Sequence, residues 1–220
     1  MSAGQPAAVQ QIVVSGRVVD VRVGAAGTGK STAMRGVREA WEREHGPGSV
    51  VGLAPSAAAA EVLSDVVGIA TENTTKWLSE AGRNSSRWEE ISQLRGQLYR
   101  ASPSLRTKSM LHRARTVAAE VDRWALRLGQ LVIVDEASMA GTFELDALTE
   151  QAKNVGAKVL LVGDWAQLSP VSAGGAFHLL ATHRPPVPPL YYVRRFSPDC
   201  VPAAAVHLPH PHPAHAAPHP

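Results

Sequence analysis

A single cysteine, Cys200, stands in 220 residues. One thiol closes no internal disulfide, which excludes a cross-linked secreted framework and points to a reducing, cytoplasmic setting. Nowhere do about 18 apolar residues run uninterrupted, so no helical membrane span is expected. The opening "MSAGQPAAVQQIVV" lacks the basic start and continuous apolar stretch of a secretion signal. Aromatics are scarce at 5%, and the formal net charge is only +3, which permits contact with nucleic acid without arguing for it. Hydrophobic residues at 45% suffice for a core of one domain, or of one domain with an appendage.

Four short β-branched runs carry the pattern: "VVDVRVG" at 18–24, "SVVGLAP" at 49–55, "LVIVDEA" at 131–137 and "KVLLVGD" at 158–164. Near-continuous apolar strands suit a parallel sheet covered on both faces. Helical spacing appears between them, with Met34, Val37 and Trp41 in one segment and Phe143, Leu145, Leu148 and Ala152 in another. Strand alternating with helix predicts an α/β fold. The Arg-rich stretch over about 72–128 reads as an inserted helical subdomain, its arginines forming either a solvated face with Glu partners or a DNA surface. From Pro185 onward the chain holds eleven of its sixteen prolines, so the Pro/His-rich end is expected to be extended or disordered.

"GAAGTGKS", Gly24 to Ser31, matches G-x-x-x-x-G-K-[ST] and sits where that motif has mechanical meaning, after an apolar strand and before a helix. Small residues at Gly24, Ala25, Ala26, Gly27, Thr28 and Gly29 let backbone N–H groups turn inward toward phosphates, and the helix N-terminus adds its positive end. Lys30 can reach the β and γ phosphates, and the Ser31 hydroxyl can hold Mg²⁺. In "LVIVDEAS", Asp135 and Glu136 close an apolar strand. This is a Walker-B arrangement in which Asp135 holds Mg²⁺ and Glu136 polarises an attacking water. "LLVGDWAQLSP" places Gly163, Asp164 and Gln167 beyond another strand end, where ligands of open α/β sheets sit, and Gln167 can bond the γ-phosphate or that water.

Together "GAAGTGKS", "GLAPSAAAAEVL", "TENTTKWL", "VIVDEASM" and "GDWAQLSPVSAGGAF" resemble the first motor domain of a superfamily 1 DNA helicase. They are most similar to the RecD-like helicase region of MobF-type, TraA/TraI-like conjugative relaxases, and the similarity covers about residues 2–182. The resemblance implies a RecA-like P-loop NTPase fold, with a parallel sheet flanked by helices and a helical insertion. It implies ATP and Mg²⁺ as cofactors, single-stranded DNA as partner, bound weakly in isolation, and an association with conjugation machinery. It also implies that Gln5 recognises adenine and that Pro55, Ser56, Thr74 and Thr75 touch single-stranded DNA, although small residues of this kind also cap helices. Trp77 and Trp165 are open to base stacking, but packing is the commoner role of a tryptophan at helical spacing. In "PPLYYVRRF", 188–196, Arg195 stands where such helicases carry an arginine near the γ-phosphate, and 183–196 resembles the start of a second motor domain. The resemblance stops at Phe196, before a low-complexity tail at 197–220.

Two functions are therefore expected of the sequence. One is an ATP-hydrolysing helicase motor domain. The other is a truncated or frame-shifted remnant that binds nucleotide with little turnover. The tail histidines His207, His210, His212, His215 and His219 are read as adventitious low complexity rather than a metal site, because no core surrounds them to hold ligand geometry.

Overall fold

The computed structural model describes residues 4–24, 29–164 and 175–183. Its centre is a five-stranded, all-parallel sheet: β1 (Val19–Val23), β2 (Val50–Ala54), β3 (Ala70–Asn73), β4 (Leu131–Val134) and β5 (Lys158–Gly163), in the order β1-β5-β4-β2-β3. The four apolar runs read from the sequence are β1, β2, β4 and β5. β3, "ATEN", is an addition: its polar residues are tolerable because it is the sheet's outer strand, half-exposed along most of its length. The expected helical stretch at 72–128 consequently starts two residues later, after β3 ends at Asn73.

The strands are apolar throughout because both faces are covered. Val132 and Val134 of β4, with Val159 and Leu161 of β5, point into a cluster with Trp77, Leu145, Leu148, Ala152 and Phe177. Their alternating neighbours Leu131, Ile133, Leu160 and Val162 point the other way, onto Ile12, Met34, Val37, Trp41, Leu63 and Val67. The second layer is supplied by α1 (Gly4–Val14), α2 (Lys30–His45) and α3 (Ala57–Val67), and the first by α4 (Thr74–Gly82), α7 (Thr142–Val155) and α8 (Gly175–His183). The handedness of parallel crossovers explains the division: β1 to β2 to β3 step one way across the sheet through α2 and α3, whereas β4 to β5 steps back through α7.

Phe143, expected on the apolar face of α7, is 88% exposed. It precedes Leu145 by two residues, about 200° around a helix, and so lies nearly opposite the buried row. Trp77 is buried and meets Trp124 edge to face with ring centroids 5.8 Å apart, which is the packing reading.

Two further helices, α5 (Asn84–Arg100) and α6 (Leu105–Arg123), form a hairpin with its own small core of Ile91, Val117 and Val121. It is tied to the sheet layers by Asn84 Nδ2, which donates to the Trp124 carbonyl at 3.0 Å, and by Arg87, which pairs with Glu80 and Glu120.

At the outer edge β1 carries buried charge. Lys158 Nζ lies 2.8 Å from Asp20 Oδ2 and donates to the Ser15 carbonyl, while Ser15 Oγ donates to Asp20 Oδ1 at 3.2 Å. Burial pulls the neighbouring Arg22 guanidinium down to about 10, with the Asp20 charge acting in the opposite direction.

Candidate functional site

Because every strand is parallel, all five carboxyl ends open on one edge of the sheet. Gly24 follows β1, Pro55 follows β2, Thr74 follows β3, Asp135 follows β4 and Asp164 follows β5. On this edge a crevice opens wherever neighbouring strands send their chains to opposite faces: between β1 and β5, between β4 and β2, and between β2 and β3. At the first, Gly24 N–H donates to the Gly163 carbonyl at 3.1 Å. At the second, Asp135 N–H donates to the Leu53 carbonyl at 2.9 Å.

The first crevice receives the N-terminus of α2. Gly29 takes a left-handed conformation, φ 82°, which a residue without Cβ adopts at no steric cost, and its carbonyl starts the helix by accepting from Ala33 N–H at 3.1 Å. Lys30 and Ser31 are the first two helical residues, and the first turn contains no acidic side chain. The positive end of α2 is therefore reinforced by Lys30 and not neutralised. Ala25, Ala26, Gly27 and Thr28 lie outside the described residues, as do Gln167, Trp165, Arg195 and the tail histidines. Gln5 lies within α1, but its side chain is outside the described atoms.

Asp135 is half-buried, and burial pushes its carboxyl group above the usual aspartate range. Two features act against that shift: the Glu136 N–H, which donates to Asp135 Oδ1 at 2.9 Å, and the positive charge of Lys30. The chain thus brings the cation that follows the glycine loop into electrostatic reach of the carboxylate that ends β4, across the intervening strand β5. A partly desolvated carboxylate only partly compensated by the protein suits a divalent cation. Among the described residues no group of three or more His, Cys, Asp or Glu could hold a metal ion. Mg²⁺ commonly takes one or two protein ligands and completes its shell with phosphate and water, so one carboxylate such as Asp135 suffices for the protein's part.

Glu136 is the only described non-glycine residue at positive φ, with φ 50° and ψ 34°. The left-handed region costs an ordinary residue about 1–2 kcal/mol, and such strain concentrates where side-chain direction matters. Here it turns the chain out of β4 into a short 3₁₀ turn, Ala137–Met139, and separates the directions of Asp135 and Glu136. Asp164 is buried. Gly163 lies so close to that turn that a Cβ would fall 3.0 Å from Ser138 N and 2.8 Å from Phe177 Cζ.

The residues expected to touch DNA gather at the β2/β3 end of the same edge. Ser56 is exposed and accepts from Ala59 N–H at 3.1 Å, capping α3. Pro55 is half-buried, and its carbonyl accepts from Asn73 Nδ2 at 2.8 Å. Thr75 is exposed, and its hydroxyl donates to Glu144 Oε1 at 2.6 Å. Thr74 departs from its expected role: it is wholly buried, so its hydroxyl, unpartnered among the described residues, offers a strand no surface. Sequence reasoning missed Asn73 and Glu144. Asn73 joins the two segments and caps α4 through Lys76 N–H at 3.0 Å, and Glu144 Oε2 accepts from Gly141 N–H at 3.0 Å. The Asn directly before a helix was the available signal for the first. Nothing local marked the second.

No described helix is long and apolar enough to cross a membrane. Comparison with known proteins agrees with the fold. A probable conjugal transfer protein TraA of Sinorhizobium fredii (strain NBRC 101917 / NGR234) is 30% identical over 181 residues, covering 82% of this chain and 13% of the relative. A conjugal transfer protein TraA of Rhizobium radiobacter is 31% identical over 183 residues, with the same coverage. A third TraA, of Agrobacterium fabrum (strain C58 / ATCC 33970), is 29% identical over 180 residues. The chain spans 13% of the length of these curated relatives. A family model described as AAA domain matches residues 1–218. With a parallel α/β sheet, a glycine loop at the end of β1 and acids at the ends of β4 and β5, the chain belongs to the AAA domain family, in its RecD-like helicase group.

Proposed function

We propose that this chain is the ATP-binding and ATP-hydrolysing first motor domain of a DNA helicase of conjugative-relaxase type, which couples nucleotide turnover to movement along single-stranded DNA. The observation that carries the reading is that the Lys30 charge acts on Asp135 at the carboxyl edge of the sheet, beside the unneutralised N-terminus of α2.

In this reading the backbone from Gly24 to Gly29 cradles the phosphates, and Lys30 lies along the β and γ phosphates. Ser31 and Asp135 hold Mg²⁺. Held there, Mg²⁺ would supply positive charge to the phosphate oxygens. Glu136, aimed by its left-handed backbone, accepts a proton from the attacking water. Asp164 and Gln167 report the γ-phosphate from the end of β5. Gln5 reads adenine, and Arg195 stabilises transition-state charge. Pro55, Ser56 and Thr75 contact the DNA backbone at the β2/β3 end of the edge without reading sequence, as a motor on any strand requires. Conjugation machinery is the partner this function implies.

The test is the ATPase rate of the purified chain with and without oligothymidylate. DNA-stimulated turnover that disappears in Lys30→Ala and Glu136→Gln supports the assignment. Turnover indifferent to both substitutions contradicts it.

A further inference from the structure

Glu144 lies at the start of α7, half-buried, and has no ion pair among the described residues. Its two carboxylate oxygens serve different parts of the chain. Oε2 accepts from Gly141 N–H at 3.0 Å, which is what a Glu in the first helical turn commonly does for its own helix. Oε1 accepts from the Thr75 hydroxyl at 2.6 Å, 69 residues distant in sequence at the start of α4. Capping requires only the first bond. The second ties α7 to α4, whose inner sides share one apolar cluster through Leu145 and Trp77.

The two tied segments lead to different ligands. Thr75 is exposed, at the end of the sheet edge assigned above to DNA. Gly141 closes the turn that Glu136 opens: Met139 N–H donates to the Glu136 carbonyl at 2.8 Å, and Ala140 N–H to the Ala137 carbonyl at 3.3 Å. Ala137, Ser138 and Ala140 are buried, and Gly163 of β5 lies directly against this turn. A turn packed this tightly has little room to absorb a displacement of one end, so movement at Gly141 reaches Glu136. Glu136 is in turn the left-handed residue whose carboxylate is proposed to take the proton of the attacking water.

We infer that Glu144 is a positioning residue that couples occupancy of the DNA contact at Thr75 to the placement of Glu136, resting on the function proposed above. A hydroxyl has one proton to donate. Thr75 gives it to Glu144, and a DNA phosphate at Thr75 needs that same proton for its own hydrogen bond. The phosphate also brings a negative charge beside a carboxylate that has no cation to offset the repulsion. Glu144 Oε1 then loses its partner, the carboxylate turns, and its other oxygen shifts the Gly141 N–H that it holds. A strand at one end of the turn thereby sets the rate of hydrolysis at the other, through a side chain that needs to touch neither nucleotide nor attacking water.

The test is Glu144→Gln in the whole chain, a variant of the same shape with no charge and one oxygen, which can serve Gly141 or Thr75 but not both. Affinity for labelled oligothymidylate is read by fluorescence anisotropy without nucleotide, and ATP turnover is read with and without saturating oligothymidylate. Binding should tighten about two- to threefold, the effect of removing one screened like-charge repulsion. The ratio of stimulated to basal turnover should fall about fivefold or more. A role in capping alone would not move the two readouts in opposite directions. Thr75→Val added to Glu144→Gln should lower the ratio no further than the more severe single variant, because both break the same bond, and Thr75→Ser should keep the wild-type ratio. An unchanged ratio in Glu144→Gln, where DNA does stimulate the wild type, overturns the coupling alone, as does weaker binding of DNA by that variant. A wild type whose turnover DNA leaves unchanged overturns the proposed function and the coupling with it.

Discussion

Asn73 Nδ2 donates to the Pro55 carbonyl at 2.8 Å while Asn73 Oδ1 accepts from Lys76 N–H at 3.0 Å. One side chain therefore clamps the turn after β2 to the start of α4, the two segments proposed to meet DNA. Asn73→Ala loses both bonds and is expected to lower stability to urea by about 1–2 kcal/mol. Asn73→Asp keeps the cap but, when ionised, cannot donate to Pro55, and should fall between wild type and Ala.

Gly163 is a packing requirement. A Cβ there would lie 2.8 Å from Phe177 Cζ and 3.0 Å from the backbone nitrogen of Ser138, and backbone cannot move aside as a side-chain tip can. Gly163→Ala should cost about 1–3 kcal/mol of stability in urea unfolding, and should weaken nucleotide binding by displacing the turn that follows Glu136.

The edge of β1 makes a third prediction. Lys158 and Asp20 have side chains 7% and 10% exposed and lie 2.8 Å apart. Lys158→Ala strands a buried carboxylate and should cost about 3–5 kcal/mol. Asp20→Asn with Lys158→Met should recover only part of that loss, because this pair then holds no unpaired charge but the buried Arg22 loses the Asp20 charge beside it.

Asp135 sets a pH dependence. Burial raises its carboxyl group above the unfolded value, so the folded chain holds that proton more tightly than the unfolded chain. Stability consequently falls as pH rises from the ordinary aspartate value through the raised one, and the full cost persists at neutral pH. Asp135→Asn should raise the melting temperature of the nucleotide-free chain at pH 7 and flatten its profile across the mildly acidic range. An unchanged melting temperature would show that the burial is already compensated.

The site was legible where one local pattern carries one meaning. Long apolar runs disclosed β1, β2, β4 and β5, and the glycine loop disclosed the start of α2, because burial on both faces and phosphate binding each demand particular residue types. β3 escaped because an outer strand need not be apolar, and Phe143 was misplaced because helical spacing assigns a face only once the register is known. The buried Thr74, the left-handed Glu136 and the Thr75–Glu144 bond depend on how distant segments meet. Thr75 and Glu144 are 69 residues apart, a separation at which no local pattern speaks.

Lys30 and Asp135 are proposed to form one Mg²⁺-nucleotide site across β5. Its most direct measurement is equilibrium binding of a fluorescent ATP analogue to wild type, Lys30→Ala, Asp135→Asn and the double variant, with and without Mg²⁺. Each single substitution is expected to weaken binding at least tenfold in Mg²⁺, about 1.4 kcal/mol, and Asp135→Asn to lose most of the response to the metal. The double variant should be weakened by less than the product of the two effects, as interacting neighbours require. Strictly independent losses, or Mg²⁺-dependent binding unaltered by Asp135→Asn, would contradict it.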